Sequence, residues 1–219
     1  MNSSSAIIQL LVLAAVAVFL ILRLRSVLGT REGFEKPPLA PEARGPKPAF
    51  EVIEGGPDRD ITDHVAEGTA AAGALARMKA ADPDFSVSDF LDGAKGAYEM
   101  ILMAFERGDL SEVRPFLSDD VYAAFESVIE NRREQGLTVE ADFVGLREVT
   151  LTDAEYDDAA GLGEVTVKFV GELTSAVRDA TGQIVEGSTT EIKRQRDVWS
   201  FARRMTAGDP NWQLVATGG

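Results

Sequence analysis

Residues 163–179 read GEVTVKFVGELTSAVRD, and within them Val165, Val167 and Phe169 alternate with Thr166, Lys168 and Val170. Alternation with a period of two predicts a half-exposed antiparallel strand, one face on a core and the other toward water. Three further segments share its richness in Val, Thr and aromatic residues: LTVEADFVGLREVTLTDAEY at 137–156, IVEGSTTEIKRQRDVWSFARR at 184–204 and NWQLVAT at 211–217. Between the second and third of these four strands, Ala180-Thr181-Gly182-Gln183 has the chemistry of a hairpin turn.

Upstream of Gly136 the period changes. In DFSVSDFLDGAKGAYEMILMAFERGD, at 84–109, Phe90, Ala94, Ala97, Ile101, Leu102 and Phe105 recur at helical spacing. The spacing predicts a helix with one buried face, Ser88 as its N-cap and Gly108 as its end. Gly93 and Gly96 lower helix propensity and predict close approach by another backbone. DLSEVRPFL then forms a short helical turn. A third helix follows from Ser118 to Gln135, with Val121, Phe125 and Val128 on one side and Gly136 as terminator. Before these, the Ala-rich stretch 62–81 predicts a helix capped by Asp63, acting as a spacer or docking through Leu75 and Met78. The lone His64 falls at its start, as a surface residue. Helices first and a strongly bent antiparallel sheet afterwards define an α+β class, with the helices on one face of the sheet.

The N-terminal quarter has another character. Ala6 to Leu22 is apolar apart from Gln9, and its 17 residues at 1.5 Å each span roughly 25 Å, enough for a bilayer core once snorkelling Arg side chains extend it. Arg23, Arg25 and Arg31 follow the run rather than precede it, which predicts a membrane anchor rather than a cleaved signal, with the arginine side cytoplasmic. From Gly33 to Asp60 the chain holds six of its nine prolines and no hydrophobic period, the mark of an extended linker. The expected organisation is therefore an anchor over 1–25, a linker over 26–61, the Ala-rich helix over 62–81 and an α+β domain over 82–219.

Charge restricts the function. The net charge is −14, yet residues 23–50 hold six basic against three acidic side chains, so the rest carries −17. That acidity excludes nucleic acid as a partner, since phosphates require a field of the opposite sign, while a basic collar beside the apolar run suits anionic lipid. With no cysteine there is no thiolate nucleophile, disulfide or Cys-bound zinc. Tyr98, Tyr122 and Asp142 show no catalytic spacing, and no phosphate loop or His-based metal motif is present. The expectation is a non-enzyme without cofactor or metal.

Two motifs carry a family resemblance. Trp199-Ser200-Phe201 with the closing Asp209-Pro210-Asn211-Trp212-Gln213-Leu214, preceded by FLDGAKGAYEMI at 90–101, resembles the C-terminal domain of the forty-four-kilodalton subunit of the mitochondrial inner-membrane translocase and its bacterial relatives, over about Phe85 to Thr217. LRSVLGTREG, at 24–33 after an apolar helix, is similar to the bacterial members. The resemblance implies a cone of the cystatin-like, nuclear-transport-factor-two type, in which helices close one side of a curved sheet around a hydrophobic cavity. In mitochondria it implies a scaffold that recruits a chaperone motor to a channel and contacts membrane. In bacteria it implies an inner-membrane-anchored adaptor, single-pass, with a cytoplasmic C-terminal domain. The anchored adaptor role carries over to this chain better than the import role, because an apolar helix and a proline linker stand in place of the long motor-binding region.

Candidate site residues follow. Tyr98, Ile101, Phe105, Trp199, Phe201 and Trp212 are core aromatics and aliphatics or line a cavity for an acyl chain or apolar side chain. Lys193, Arg194, Arg196, Arg203 and Arg204 are a solvated strand face or a basic patch for lipid headgroups or an acidic partner. The expected partners are membrane lipids and an unidentified protein, the alternative function being a binding module for a lipid or small apolar ligand.

Overall fold

The computed structural model describes residues 56–206 and 208–218. Helices α1 (Arg59–Thr62), α2 (Ala70–Ala81), α3 (Val87–Arg107) and α4 (Asp119–Glu134) precede strands β1 (Thr138–Asp157), β2 (Leu162–Arg178), β3 (Ile184–Arg204) and β4 (Gln213–Gly218). A 3-10 turn, Arg114–Phe116, joins α3 to α4. The strands form one antiparallel sheet in the order β1-β2-β3-β4, giving the α+β class the residue pattern predicts. The predicted anchor and its flank Arg23, Arg25 and Arg31 lie outside the described residues, among which no helix is long and apolar enough to cross a membrane.

The core lies against the inner face of β2. Val165, Val167, Phe169 and Leu173 are buried there, and each large apolar side chain withdrawn from water contributes about 1.5–3 kcal/mol. Two glycines on the same face receive the helices. A Cβ at Gly163 would stand 3.0 Å from Met78 Sδ of α2, and one at Gly171 would stand 2.9 Å from Tyr98 Oη of α3. Tyr98 lies in that notch with its ring stacked on Phe169 at 4.5 Å and tilted against Trp199 at 4.8 Å. Its hydroxyl donates to Asp197 Oδ2 at 2.6 Å, and burial first, then the Asp197 carboxylate, pushes the phenol well above its ordinary range.

Helix starts differ from the sequence reading in two places. The Ala-rich helix begins at Ala70, where Thr69 Oγ1 accepts from Ala72 N, and not after Asp63, which closes the short α1 instead. Gly68, at a φ of +77°, turns the chain between them. For α3 the N-cap is Ser86, whose Oγ accepts from Asp89 N, rather than Ser88. The reason is Asp60: its carboxylate accepts from Val87 N at 2.8 Å and Ser88 N at 2.9 Å, so the first turn of α3 is tied to α1. Lys79 of α2 adds an ion pair to the same carboxylate at 2.9 Å. Ile61 is buried beside it, so the domain takes in the last residues assigned above to the linker. His64, half-buried, meets Ser88 Oγ at 3.2 Å.

Burial raises the Asp60 carboxyl, but Lys79 and the Ser88 and Val87 donors outweigh it and hold the group well below the carboxylate range. A depressed folded-state pKa adds stability above the unfolded value of about 4 and loses it as pH falls. Asp60→Asn should therefore cost about 1–3 kcal/mol at pH 7 by chemical denaturation, and the two proteins should converge as the pH drops below about 4. Gly171→Ala should cost a similar 1–3 kcal/mol by overpacking against Tyr98, and the double variant with Tyr98→Phe should recover part of it.

Candidate functional site

With Tyr98 turned inward, a rotation of 100° per residue sets Gly93 about 140° and Gly96 about 160° away from it on the helix. Neither glycine has an atom within 4 Å of an added Cβ. The close backbone contact predicted for them is therefore absent, because Tyr98 rather than a glycine makes the approach to the sheet. They line instead an open groove of about 470 Å³ along the flank of α3. Phe90, Ile101, Phe116, Phe201 and Trp212 form its apolar walls, and Met100, 40% exposed, stands at its lip.

The far wall comes from the chain between β3 and β4. Pro210, Asn211 and Trp212 reach back over the start of α3, where the Trp212 ring meets Phe90 at 4.6 Å and Phe85 at 5.7 Å. Asp209 Oδ1 accepts from Asn211 N at 2.9 Å and Nδ2 at 2.8 Å, shaping that turn. Arg203 locks it to the helical layer: its guanidinium pairs with Asp82, stands 5.2 Å from the Trp212 ring centroid and 5.7 Å from that of Phe85, and is only 9% exposed. The rim is acidic, with Asp84, Asp89 and Asp92 along one side. Lys95 pairs with Asp92 at 2.7 Å and holds its carboxyl below the ordinary range.

Of the six cavity candidates, Ile101, Phe201 and Trp212 meet in this groove. Tyr98 and Trp199 do not, since their rings fill the core behind it against Phe169. Phe105 turns to the other helix, 4.7 Å from Phe125 and beneath Arg132 at 4.5 Å. The five basic candidates do not form one patch. Arg203 lies largely covered on the helix side, Arg204 donates to the Ala160 carbonyl, and Arg194 pairs with Glu172 on the opposite sheet face. Lys193 and Arg196 are exposed on alternate faces of β3. Sequence reasoning missed Met100 and Phe116 as groove residues. Their apolar type was the available signal, but the 3-10 turn that places Phe116 joins the wall only through the tertiary fold. It also missed the Tyr98–Asp197 hydrogen bond, made across 99 positions of chain.

Among the described residues no group of three His, Cys, Asp or Glu side chains is placed to hold a metal ion. Tyr98 is enclosed by packed rings, and its half-buried partner Asp197 also accepts from Gln195 Nε2 at 3.1 Å. What the exposed arrangement offers is apolar contact area with an acidic border.

Because the space beside Gly93 and Gly96 is open, alanine at either position should raise stability by about 0.5–1 kcal/mol through helix propensity alone, measured by denaturant titration.

Comparison with known proteins gives this geometry a lineage. A mitochondrial import inner membrane translocase subunit, TIM44-1 of Arabidopsis thaliana, is 21% identical over 162 residues, which are 71% of this chain and 34% of that protein. The chain thus spans about a third of the length of that curated relative. Among solved structures, the intermembrane space region of the chloroplast protein ARC6 aligns with a TM-score of 0.39 at 10% identity, covering 58% of this chain and 93% of that one. The family model described as "Tim44-like domain" matches residues 71–219, a segment that holds the whole sheet, α3, α4 and every residue of the groove. On that match, the chain belongs to the Tim44-like domain family.

Proposed function

We propose that this protein is a membrane-anchored adaptor whose α+β domain binds a partner protein through the groove on α3. The observation that carries the reading is the open apolar groove of about 470 Å³, in which the two glycines leave the helix flank bare beside Trp212 and Phe116. Contiguous apolar surface of this kind, rimmed by polar residues, is characteristic of interaction sites. The acidic rim favours a partner segment that carries Lys or Arg beside its apolar anchor and disfavours anionic lipid headgroups at this spot. Family membership supports an adaptor role in the broad sense.

The finer parts of the proposal rest on sequence. Residues 6–22 anchor the chain in a bacterial inner membrane, Arg23, Arg25 and Arg31 hold the helix end at cytoplasmic headgroups, and the domain faces the cytoplasm. The helices laid on a bent sheet are read as a cone of the nuclear-transport-factor-two type. The protein is proposed to be no enzyme, since the Tyr98 hydroxyl is committed to Asp197 and the one groove hydroxyl that meets a carboxylate, Ser86, caps α3 and donates to Asp60. A small apolar ligand is the second reading, favoured by the same groove walls, but Phe169, Tyr98 and Trp199 fill the interior where an enclosed acyl-chain cavity would lie.

A photo-crosslinking residue at Met100 in intact cells tests the adaptor reading. The expected product is one discrete protein adduct, absent when the residue is placed at exposed Val128 of α4 and lost in Gly96→Leu, which fills the groove without disturbing the core. Equal labelling from both positions, or labelling indifferent to Gly96→Leu, would sink the proposal.

A further inference from the structure

Strand β3 pairs with β2 without a break from Lys193 to Arg204, but β4 covers its other edge only from Val198 to Ala202. The preceding residues Lys193–Asp197 remain in unbroken register with β2, from Leu173↔Lys193 to Phe169↔Asp197. Among the described residues, none of their backbone groups hydrogen-bonds beyond β2. Before Lys193 the ladder breaks between Leu173 and Ser175, where Ser188 Oγ accepts from Thr190 N at 3.2 Å and Glu191 N at 3.1 Å and the chain bulges. An open edge of five residues in continuous register is thus bounded by the end of β4 on one side and a bulge on the other.

The charge at this edge is opposite in sign to that of the molecule. Lys193, Arg194 and Arg196 are exposed there, in a chain of net charge −14. Arg194 and Arg196 share the outer sheet face by alternation. Arg194 remains 58% exposed while it pairs with Glu172, so part of its five-donor fork still faces solvent. The same charges oppose self-association. A second copy added antiparallel about Gln195 would set Arg194 against Arg196, and like charges directly opposite are destabilising.

We propose that Lys193–Asp197 is a strand-addition site, which takes an extended acidic segment of a partner protein as a further strand beside β3, with acidic side chains opposite Arg194 and Arg196. Main-chain hydrogen bonds supply affinity, and the alternate acidic side chains supply selection. The site is separate from the groove and does not depend on it.

The test uses the full chain and a synthetic peptide of alternating Glu and Thr, about eight residues long, the length of an ordinary strand. Hydrogen exchange should show new protection confined to amides of Lys193–Asp197. A peptide of alternating Lys and Thr should give none, and neither should a Glu-Thr peptide N-methylated at alternate positions, which keeps its charge and loses its donors. Arg194→Gln with Arg196→Gln should weaken the affinity by about fivefold, as two exposed cross-strand charge pairs allow. Equal binding of the N-methylated peptide, protection elsewhere, or no binding at all overturns the proposal. Protection of the same amides that grows with protein concentration in the absence of peptide overturns it in favour of a second copy.

Discussion

The seating of Tyr98 over Gly171 governs the geometry of this domain. No other residue type at position 171 leaves room for the phenol, since a Cβ would meet its oxygen at 2.9 Å. Once seated, the ring is held on three sides by Phe169, Trp199 and Phe143 and its hydroxyl is satisfied by Asp197, so burial carries no unpaired donor. That contact sets the rotation of α3 about its own axis. Everything on the helix then follows from 3.6 residues per turn: Ile101 and Ala94 border the groove as buried residues, whereas Gly93, Gly96 and Met100 border it on the exposed flank.

The two ends of α3 are held by different physics. At its N-terminus the Asp60 carboxylate gathers backbone donors that have no partner within the helix, and the pairing with Lys79 ties α1, α2 and α3 at one point. At its C-terminus Gly108, at a φ of +73°, closes the helix with hydrogen bonds back to Ala104 and Phe105. Between these fixed ends the flank stays bare. The wall opposite is anchored independently, because Arg203 lies against Phe85 and Trp212 and pairs with Asp82. A groove between two separately fixed walls is pre-formed, so a partner entering it loses little to reorganisation.

Within the described residues, charge of each sign gathers on particular surfaces. On the outer sheet face Glu172 lies buried between Arg147 and Arg194, and those two arginines, Arg147 first, hold its carboxyl below the ordinary range. The groove rim on the helical side is acidic, and the free edge of β3 is basic. Two surfaces of opposite sign on one small domain suit an adaptor that engages two different segments, since electrostatic complementarity selects partners more than it adds affinity.

The strands, their order in the chain, the hairpin at 180–183 and the helices α3 and α4 were legible because each depends on a local period or a turn residue. The cap of α4 at Ser118 and the stop of α3 at Gly108 were legible for the same reason. The start of α3 at Ser86, the start of α2 at Ala70 and the role of Gly93 and Gly96 were not. The first and third depend on residues far away in the chain, Asp60 and the seating of Tyr98 on Gly171, whereas the second is a local choice of Thr69 over Asp63 as cap, Asp63 being used to close α1. Likewise the sequence shows five basic residues near one another, but alternation along β3 and separate acidic partners disperse them over two faces. Periodicity alone determined which residues form strands and helices, because it is a property of neighbours. Only the tertiary structure decided which side of α3 is bare and which edge of β3 is free, because both are set by contacts between elements distant in sequence.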